Sequence, residues 1–381
     1  MPNVSPGTEP LKILHFLSTS GVGGTETAVF KLVRYGDSAR LLQSVAALPS
    51  PGAMTKRFEE IGTRMKHFFW DQRRDRMGAV LEIRRFIIAG GYDLVIAYGL
   101  RPNIILRLIG LGTGVPMAGG LRFIFSSTRE SALYDRLDWV TFPLSRGYIS
   151  NSQMAIDRYV SLGMPRNKFL LCYNGIDTEW FSLDRWDRSA GRGEFGVGPD
   201  DVLLINVARL EKVKNQEMII RVLKILREKG FRAFLVFVGE GARRTELEKT
   251  ASELGLAAYI HFTGLRQDVP QLLTAADVFL LSSQWEGIPN AVLEAMAMGL
   301  PVVSTELPGV REVMDESVEG FFVPQNDSDA MAECAARLIC DTEMRRAMGR
   351  HARDRIVRQF SMDSMVRSFD SCCRELVHAN T

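Results

Sequence analysis

The chain has 381 residues, of which 46% are hydrophobic and 24% are charged. This composition is typical of a soluble globular protein with room for two domains, and it excludes a disordered or collagen-like chain. No uninterrupted apolar stretch is long enough to span a membrane. The net charge is +2, but the charges are unevenly distributed along the chain. Residues 1–172 contain 22 Lys and Arg against 13 Asp and Glu, whereas the remaining residues contain 25 against 32. The basic first half indicates either an anionic partner or an uneven, solvated surface.

The cysteines and histidines predict neither disulfides nor a zinc site. The five cysteines are an odd number, and the adjacent pair Cys372-Cys373 does not easily form an ordinary disulfide. The five histidines are scattered, without the spacing of metal ligands. The polar N-terminus shows no signal-peptide pattern. We therefore expect a cytoplasmic protein with reduced thiols.

Short apolar runs alternate with helical patterns along the first half of the chain. The strands predicted there are 12–18, 44–48, 65–69, 93–98, 122–127, 148–150 and 169–172. Runs that are apolar throughout are typical of parallel strands buried on both faces. Their alternation with helices predicts a doubly wound α/β domain.

The alternation stops near residue 174, where Asn, Asp and Gly become frequent, and restarts at residue 201. This break predicts a linker between two α/β domains. Ligands of such sheets bind at the carboxyl ends of the strands, so the cleft between the domains is the expected site. The predicted organisation is 1–175 for the N-terminal domain, 176–200 for the linker, 201–360 for the C-terminal domain and 361–381 for a final helix.

A glycine-rich loop, Ser20-Gly-Val-Gly-Gly-Thr-Glu26, separates the first predicted strand from an amphipathic helix. Glycines allow the backbone to approach a ligand closely, and a helix N-terminus offers N–H groups to an anion. The loop lacks the Gly-Lys-Ser/Thr ending of a P-loop and the Gly-x-Gly-x-x-Gly spacing of the dinucleotide fingerprint. It predicts either an anion-binding loop or a plain tight turn.

Two cations, Arg209 and Lys214, follow the first predicted strand of the second domain. Cations just beyond a strand end suit a diphosphate. The alternative is a pair of solvated side chains on an exposed loop.

The strongest signal is Trp285-Glu-Gly-Ile-Pro-Asn-Ala-Val-Leu-Glu294, which precedes an apolar Leu-Pro-Val-Val run. Glu286 ends a loop, and Glu294 lies on the second turn of a predicted helix whose first position suits Pro289. The N–H groups of the first turn can bind phosphate or sugar oxygens, and carboxylates accept hydrogen bonds from vicinal hydroxyls. Alternatively, the two acids only complement the helix dipole.

These motifs together resemble glycosyltransferase family 4, the retaining glycosyltransferases with the GT-B fold. Glu286 and Glu294 are similar to its Glu-x7-Glu motif, the loop at 21–26 to its glycine loop, and Arg209 and Lys214 to its phosphate-binding pair. Further matches are Asn174-Gly-Ile-Asp177, Val238-Gly-Glu-Gly241, Phe262-Thr-Gly264, Phe321-Phe-Val-Pro324 and Gln359-Phe-Ser361. The resemblance implies two Rossmann-like parallel-sheet domains facing across a cleft, with the C-terminal helix crossing back to the N-terminal domain.

The resemblance also implies a reaction: transfer of a hexose or N-acetylhexosamine, with retention, from a nucleotide-diphosphate sugar to a glycan or lipid-linked acceptor. Arg209 and Lys214 would neutralise the diphosphate, Glu286 would hold the donor sugar hydroxyls, and Glu294 would bind the ribose. The other implied donor-binding residues are Gly23, Gly24, Gly287, Ile288, Pro289 and Asn290.

No metal and no other cofactor is then expected, because fixed cations and helix N-termini stabilise the leaving diphosphate. The Asp327-Ser-Asp329 segment resembles a metal motif, but we expect it to cap a helix. Many relatives carry a histidine after an N-domain strand. The predicted strand 122–127 instead leads to Arg129, which we expect to replace that histidine in catalysis.

Phe68-Phe-Trp70, followed by Arg73-Arg-Asp-Arg76, places aromatic rings beside cations. One interpretation is that this segment contacts the anionic inner face of the cell membrane. The other is that it is a strand edge followed by a solvated loop. The family implies a role in surface polysaccharide, lipopolysaccharide or lipid-linked oligosaccharide assembly, and a uridine-diphosphate sugar is favoured over guanine or adenine donors. Alternatives are a sugar-nucleotide-binding module without turnover, an epimerase and a glycogen-type phosphorylase. A nucleic-acid partner is not expected.

Overall fold

The computed structural model describes residues 9–72, 75–121 and 136–378. The chain divides into two compact units, one made of Met1–Gly175 with Met362–Thr381 and the other of Ile176–Ser361. The stretch expected as a linker, 176–200, is part of the second unit and contains a helix. The C-terminal helix belongs to the first unit.

The first unit contains a seven-stranded parallel sheet in the order β3-β2-β1-β4-β5-β6-β7. Its strands are β1 (Leu11–Leu17), β2 (Leu41–Ala47), β3 (Met65–His67), β4 (Leu94–Tyr98), β5 (Met117–Leu121), β6 (Tyr148–Ser150) and β7 (Phe169–Leu171). The intervening helices are α1 (Gly24–Tyr35), α2 (Ala53–Glu60), α3 (Arg76–Gly90), α4 (Leu100–Gly110) and α5 (Gln153–Ser161). A further helical segment covers 136–141.

The second unit contains a six-stranded parallel sheet in the order β10-β9-β8-β11-β12-β13. Its strands are β8 (Val202–Val207), β9 (Ala233–Val238), β10 (Ile260–Phe262), β11 (Val278–Leu281), β12 (Val302–Thr305) and β13 (Gly320–Val323). The helices are α6 (Arg188–Glu194), α7 (Gln216–Glu228), α8 (Arg244–Glu253), α9 (Val269–Ala275), α10 (Asn290–Ala297), α11 (Pro308–Arg311), α12 (Ser328–Cys340) and α13 (Thr342–Gln359), and α14 (Met362–His378) then returns to the first unit.

The predicted fold class of two doubly wound parallel-sheet units is confirmed. In each sheet the strand order reverses beside the first strand of the unit, between β1 and β4 and between β8 and β11. A parallel α/β sheet binds its ligands in the crevice at such a point. The glycine loop follows β1, and Arg209 and Lys214 follow β8.

The fifth strand differs from the sequence prediction. β5 covers Met117–Leu121, and the predicted strand 122–127 lies outside the described residues. The strand contains Gly119 and Gly120, which weaken a strand pattern in the sequence. A Cβ on Gly119 would lie 2.4 Å from the Tyr148 ring and one on Gly120 would lie 2.3 Å from the Tyr98 ring, so the neighbouring rings fill this space.

Helix α6 is anchored to its unit by a buried ion pair. Arg192, only 6% exposed, donates from Nη1 to Oδ2 of Asp277 at 3.0 Å, and the same oxygen accepts a hydrogen bond from the backbone N–H of Leu203 at 2.8 Å. Because that contact reaches β8, the segment before β8 folds against the sheet. The frequent Gly and Asp residues concealed this in the sequence.

Helix α14 packs on the first sheet. Its buried Asp370 accepts hydrogen bonds from Arg40 and from Arg374, the latter at 3.0 Å. Phe369 stacks on His15 with 5.5 Å between ring centroids. His15 is fully buried and bonds Tyr98 Oη at 3.0 Å, so it is a packed histidine of the first sheet.

The aromatic run at 68–70 does not form an exposed surface. Phe68 is fully buried and stacks on Phe16 at 5.5 Å, and the Arg76 guanidinium lies 4.9 Å from the centroid of the half-buried Trp70 ring. Phe69 is 40% exposed. Of this run, therefore, one ring alone is clearly available to a membrane. Across 9–72, 75–121 and 136–378, no helix is long and apolar enough to cross a membrane.

Candidate functional site

The loop that carries Lys214 is fixed to the end of the neighbouring strand β11. Ser282 Oγ donates hydrogen bonds to the backbone oxygens of Lys214 at 2.7 Å and Asn215 at 2.9 Å. The backbone N–H of Gln284 adds a hydrogen bond to the Val213 oxygen at 2.8 Å. Asn215 adopts the left-handed conformation with φ of 48°, which Asn tolerates better than most residues. The position of Lys214 is therefore set by backbone contacts rather than by a flexible loop.

Glu286 lies at the carboxyl edge of the same sheet, directly against Lys214. The Lys214 ammonium donates to Glu286 Oε1, and Ser283 Oγ donates to the same oxygen at 2.8 Å. The two charged side chains are 17% and 13% exposed. The backbone oxygen of Ser283 in turn accepts a hydrogen bond from Thr305 Oγ1 at 2.7 Å. A partly buried, charge-assisted pair held from two sides is a preorganised site.

Arg209 is placed differently from Lys214. Its side chain is 72% exposed and its Nη1 pairs with Glu211 Oε1 at 2.6 Å. Its backbone is fixed, because the fully buried Gln216 donates from Nε2 to the Arg209 oxygen at 2.8 Å. The structure thus brings Lys214 and Glu286 together, while the Arg209 guanidinium has a separate carboxylate partner.

The segment from Gly287 to Asn290 leads into helix α10. The helix begins at Asn290, so Pro289 is the N-cap and not the first helical residue that the sequence predicted. Within the described residues no side chain caps this helix, and its first turn contains no acidic residue. Asn290 is exposed, Ile288 is half-buried, and Glu294 is half-buried on the second turn. A helix N-terminus of this kind attracts oxyanions.

Gly309 is required for the path of this segment. A Cβ at Gly309 would lie 1.8 Å from the Gly287 carbonyl oxygen, whereas a Cβ at Gly287 would meet nothing within 4 Å. Helix α11 therefore supports the loop after Glu286 by direct backbone contact. Gly287 itself borders open space, where a ligand could lie.

The glycine loop lies in the first unit and opens helix α1. Gly23 is the N-cap in extended conformation, and the helix begins at Gly24. A Cβ on Gly23 would lie 2.5 Å from Glu26 Oε2, so the loop folds over this carboxyl group. Glu26 is 3% exposed, and burial raises its pKa above the ordinary value. Gly23 and Gly24 thus form the helix N-terminus that the sequence predicted, with a buried acid beneath it.

Arg129 lies outside the described residues. Its predicted role followed from a strand at 122–127, which lies outside them as well. The proposed replacement of the family histidine therefore stays a prediction. Asp327 does cap a helix, because its Oδ1 accepts from the Ala330 N–H at 2.9 Å at the start of α12.

Sequence reasoning missed the residues that hold Lys214 and Glu286 in place. Ser282, Ser283 and Thr305 are all 1% exposed or less, and each bonds a residue of the site or its backbone. The available signal was the Ser282-Ser283 pair at the end of an apolar strand, where a buried hydroxyl needs a partner.

The arrangement is suited to binding a diphosphate ester. A cation, an exposed arginine and an uncapped helix N-terminus lie at or near one sheet edge, and a carboxylate beside them can accept hydrogen bonds from hydroxyl groups. Such a set stabilises negative charge that develops on a departing diphosphate.

Two family models match this chain: Glycosyltransferase Family 4 over residues 22–180, and Glycosyl transferases group 1 over residues 187–355. The chain belongs to this family of glycosyltransferases, and its two parallel-sheet units are those of the GT-B fold. The resemblance to glycosyltransferase family 4 with the GT-B fold is confirmed.

The relatives and solved structures agree with this assignment. N-acetyl-alpha-D-glucosaminyl L-malate synthase of Bacillus anthracis is 28% identical over 58% of this chain and 57% of its own length. UDP-Gal:alpha-D-GlcNAc-diphosphoundecaprenol alpha-1,3-galactosyltransferase of Escherichia coli is 24% identical over 75% of this chain and 76% of its own. The crystal structure of Anabaena HepE in complex with UDP has a TM-score of 0.84 at 22% identity, covering 96% of this chain and 100% of that one.

The chain spans about half the length of several of the curated relatives it matches, namely 49%, 57% and 54% of three of them. At 22% identity the likeness to HepE shows the fold.

Proposed function

We propose that this protein transfers a hexose or N-acetylhexosamine from a uridine-diphosphate sugar to a glycan or lipid-linked acceptor in surface polysaccharide or lipid-linked oligosaccharide synthesis. The observation that carries the proposal is the contact between Lys214 and Glu286 at the carboxyl edge of the second sheet. The family supports a glycosyl donor, and the relatives whose names include UDP or a UDP-sugar support the choice of uracil.

In this proposal Lys214 and Arg209 neutralise the donor diphosphate. Negative charge grows on the nucleoside diphosphate as the glycosidic bond stretches, and fixed cations stabilise that charge more in the transition state than in the ground state. The N–H groups that open α10 add to this effect. The proposal includes no metal ion and no other cofactor.

Glu286 holds the donor sugar through its hydroxyls, with one carboxylate oxygen kept in place by Lys214 and Ser283. Glu294, on the following helix, binds the ribose hydroxyls. The acceptor hydroxyl attacks the anomeric carbon from the face that the diphosphate leaves, and the departing phosphate takes the hydroxyl proton. The new glycosidic bond then keeps the configuration of the donor.

Slow hydrolysis of the donor in the absence of acceptor tests this proposal. UDP-glucose, UDP-galactose and UDP-N-acetylglucosamine are each followed by proton NMR in EDTA, and the first sugar released is assigned before it mutarotates. The proposal predicts the α anomer from one of these α-linked donors, with the rate greatly reduced in Glu286→Gln. Release of the β anomer contradicts retention, and equal rates in both proteins contradict the role of Glu286.

A further inference from the structure

A cavity of about 370 Å³ opens in the first unit, at the edge of the sheet opposite to the glycine loop. Its wall is formed where strands β5, β6 and β7 begin, by residues around Met117, Arg146 and Lys168. The glycine loop follows the carboxyl end of β1, whereas this cavity lies at the amino ends of the strands. It is therefore separate from the edge at which parallel sheets bind their substrates.

Three cations line the cavity, and among the residues that the structure describes only Arg107 has a carboxylate partner. Arg107 pairs with Asp138 Oδ1 at 2.8 Å. The buried Nε of Arg146 has no hydrogen-bond partner among the residues that the structure describes. Lys168 donates from Nζ to the Ser145 carbonyl oxygen at 2.7 Å, and burial together with the charge of Arg146 lowers its pKa. Two like charges thus share one cavity wall without a described carboxylate.

The nearby helix end does not account for these cations. Helix α4 ends at the cavity, and its terminal carbonyl groups would attract positive charge. Arg84 already supplies this, because its Nη1 donates to the oxygens of Ile109 at 2.6 Å and Leu111 at 2.7 Å. Arg107 is only 3% exposed, is paired with Asp138, and lies with its guanidinium 5.3 Å from the centroid of the Tyr148 ring. Arg146 has no such partner among the described residues, and an unpaired buried donor is costly, so its side of the cavity is the part that lacks an anion.

The rim of the cavity is apolar and open to solvent. Leu111 and Leu144, which line the cavity, are 54% and 41% exposed. Arg107 also donates hydrogen bonds to Asp138 and Thr141 in the neighbouring helical segment 136–141. In that segment Trp139 is 60% exposed and Val140 is 67% exposed. Large exposed apolar side chains on and next to a basic site are typical of a membrane interface, where tryptophan is enriched.

We propose that this cavity binds the phosphate of an anionic lipid headgroup. Arg146 and Lys168 contact the phosphate oxygens, and Trp139, Val140, Leu111 and Leu144 enter the interfacial layer around it. The occupant follows from charge complementarity inside the cavity and from the apolar rim outside it, since a free phosphate would need only the first. The inference does not depend on the proposed glycosyl transfer, and it assigns membrane contact to a different surface from the aromatic run at 68–70.

Vesicle binding of the full chain tests the proposal. Vesicles of phosphatidylcholine alone are compared with vesicles containing phosphatidylglycerol, for the wild type and for the double variant Arg146→Gln/Lys168→Gln. The wild type should bind only the anionic vesicles, and the double variant should bind them roughly thirtyfold more weakly, because each basic side chain near an anionic surface contributes roughly fivefold. The matched control is Lys229→Gln/Arg350→Gln, which removes the same charges from exposed positions of the second unit and should bind as the wild type does.

Three results overturn the proposal. Equal binding to neutral and anionic vesicles would show that no anionic headgroup is recognised. An equal loss of binding in both double variants would show that only the net charge of the protein matters. If inorganic phosphate raises the melting temperature of the wild type but not of Arg146→Gln/Lys168→Gln, and no vesicles are bound, the ligand is a free phosphate compound. That result contradicts a lipid headgroup. A melting temperature of Arg146→Gln/Lys168→Gln equal to that of the wild type shows that this variant is folded. UDP binding, measured separately on the same preparation, keeps failure here distinct from failure of the donor site.

Discussion

Lys214 and Glu286 are 72 positions apart in the chain and form a direct charge-assisted hydrogen bond at the carboxyl edge of one sheet. The lysine comes from the loop after β8 and the glutamate from the loop after β11, and these strands are neighbours. When no donor is bound, each side chain neutralises the other. A diphosphate and a sugar would therefore meet a cation and a carboxylate that are already aligned.

Lys214→Met should weaken UDP binding by roughly 10- to 100-fold, because a hydrogen bond to a charged group contributes about 1.5–3 kcal/mol. The methionine keeps the length of the side chain and removes its charge. Isothermal titration of UDP measures the change. Lys212→Met, an exposed lysine two residues away, is the matched control and should bind UDP as the wild type does. Equal losses in both variants would show that only the charge of the loop matters.

Ser283→Ala should lower turnover of the UDP-sugar while leaving UDP affinity unchanged. The hydroxyl holds Glu286 Oε1 at 2.8 Å, and in this account Glu286 contacts the sugar rather than the nucleotide. We expect a loss of roughly 10- to 100-fold, because a hydrogen bond to a charged group contributes about 1.5–3 kcal/mol. Donor hydrolysis and UDP titration, measured on the same preparation, separate the two effects. A parallel loss of UDP affinity would mean that Ser283 supports the whole loop.

Gly309→Ala should destabilise the second unit, whereas Gly287→Ala should not. The new Cβ at position 309 would meet the Gly287 carbonyl oxygen at 1.8 Å, and backbone would have to move. Overpacking of this kind costs about 1–3 kcal/mol, which lowers the melting temperature by several degrees. Differential scanning calorimetry of the two variants checks this. A melting temperature for Gly309→Ala equal to that of the wild type would show that α11 does not support the loop.

His261 should make the second unit less stable in mild acid. Burial lowers its pKa in the folded protein below about 6.5, the value in the unfolded chain, although Glu194 and a backbone hydrogen bond partly offset this. The unfolded chain therefore takes up the proton first, and the free energy of unfolding falls as the pH drops through about 6.5. Urea unfolding at several values between about pH 7.5 and 5.5 should show a steeper fall for the wild type than for His261→Gln. Identical slopes would contradict the prediction.

The sequence predicted the fold well where strands are apolar throughout and poorly where special residues replace that pattern. β1 and β4 were predicted to within one residue at each end, because buried parallel strands favour apolar side chains throughout. β5 was missed, because Gly119 and Gly120 make room for two tyrosine rings that lie elsewhere in the chain. The fold of 176–200 against β8 was missed for a similar reason, since Arg192 and Asp277 pair over a long sequence separation.

The candidate site was predictable in its residue types but not in its contacts. Glu286, Lys214 and the start of α10 follow from local patterns that suit a phosphate and a sugar. That Lys214 pairs with Glu286 while Arg209 pairs with Glu211 depends on side-chain geometry, which no spacing rule contains. The uncompensated charge around Arg146 and Lys168 was equally hidden, because the two residues belong to different strand connections that meet only in the folded sheet.

The most direct test of the account is the thermal stability of the purified protein with UDP, GDP and ADP, each in EDTA and in excess magnesium. A ligand at about 100 times its Kd adds about 2.7 kcal/mol to the free energy of unfolding, which raises the melting temperature by a few degrees. We predict a rise with UDP that is the same in EDTA and in magnesium and that is reduced by about half or more in Lys214→Met. A rise that requires magnesium, or no rise with any of the three diphosphates, would contradict a metal-independent nucleoside diphosphate site at Lys214 and Glu286.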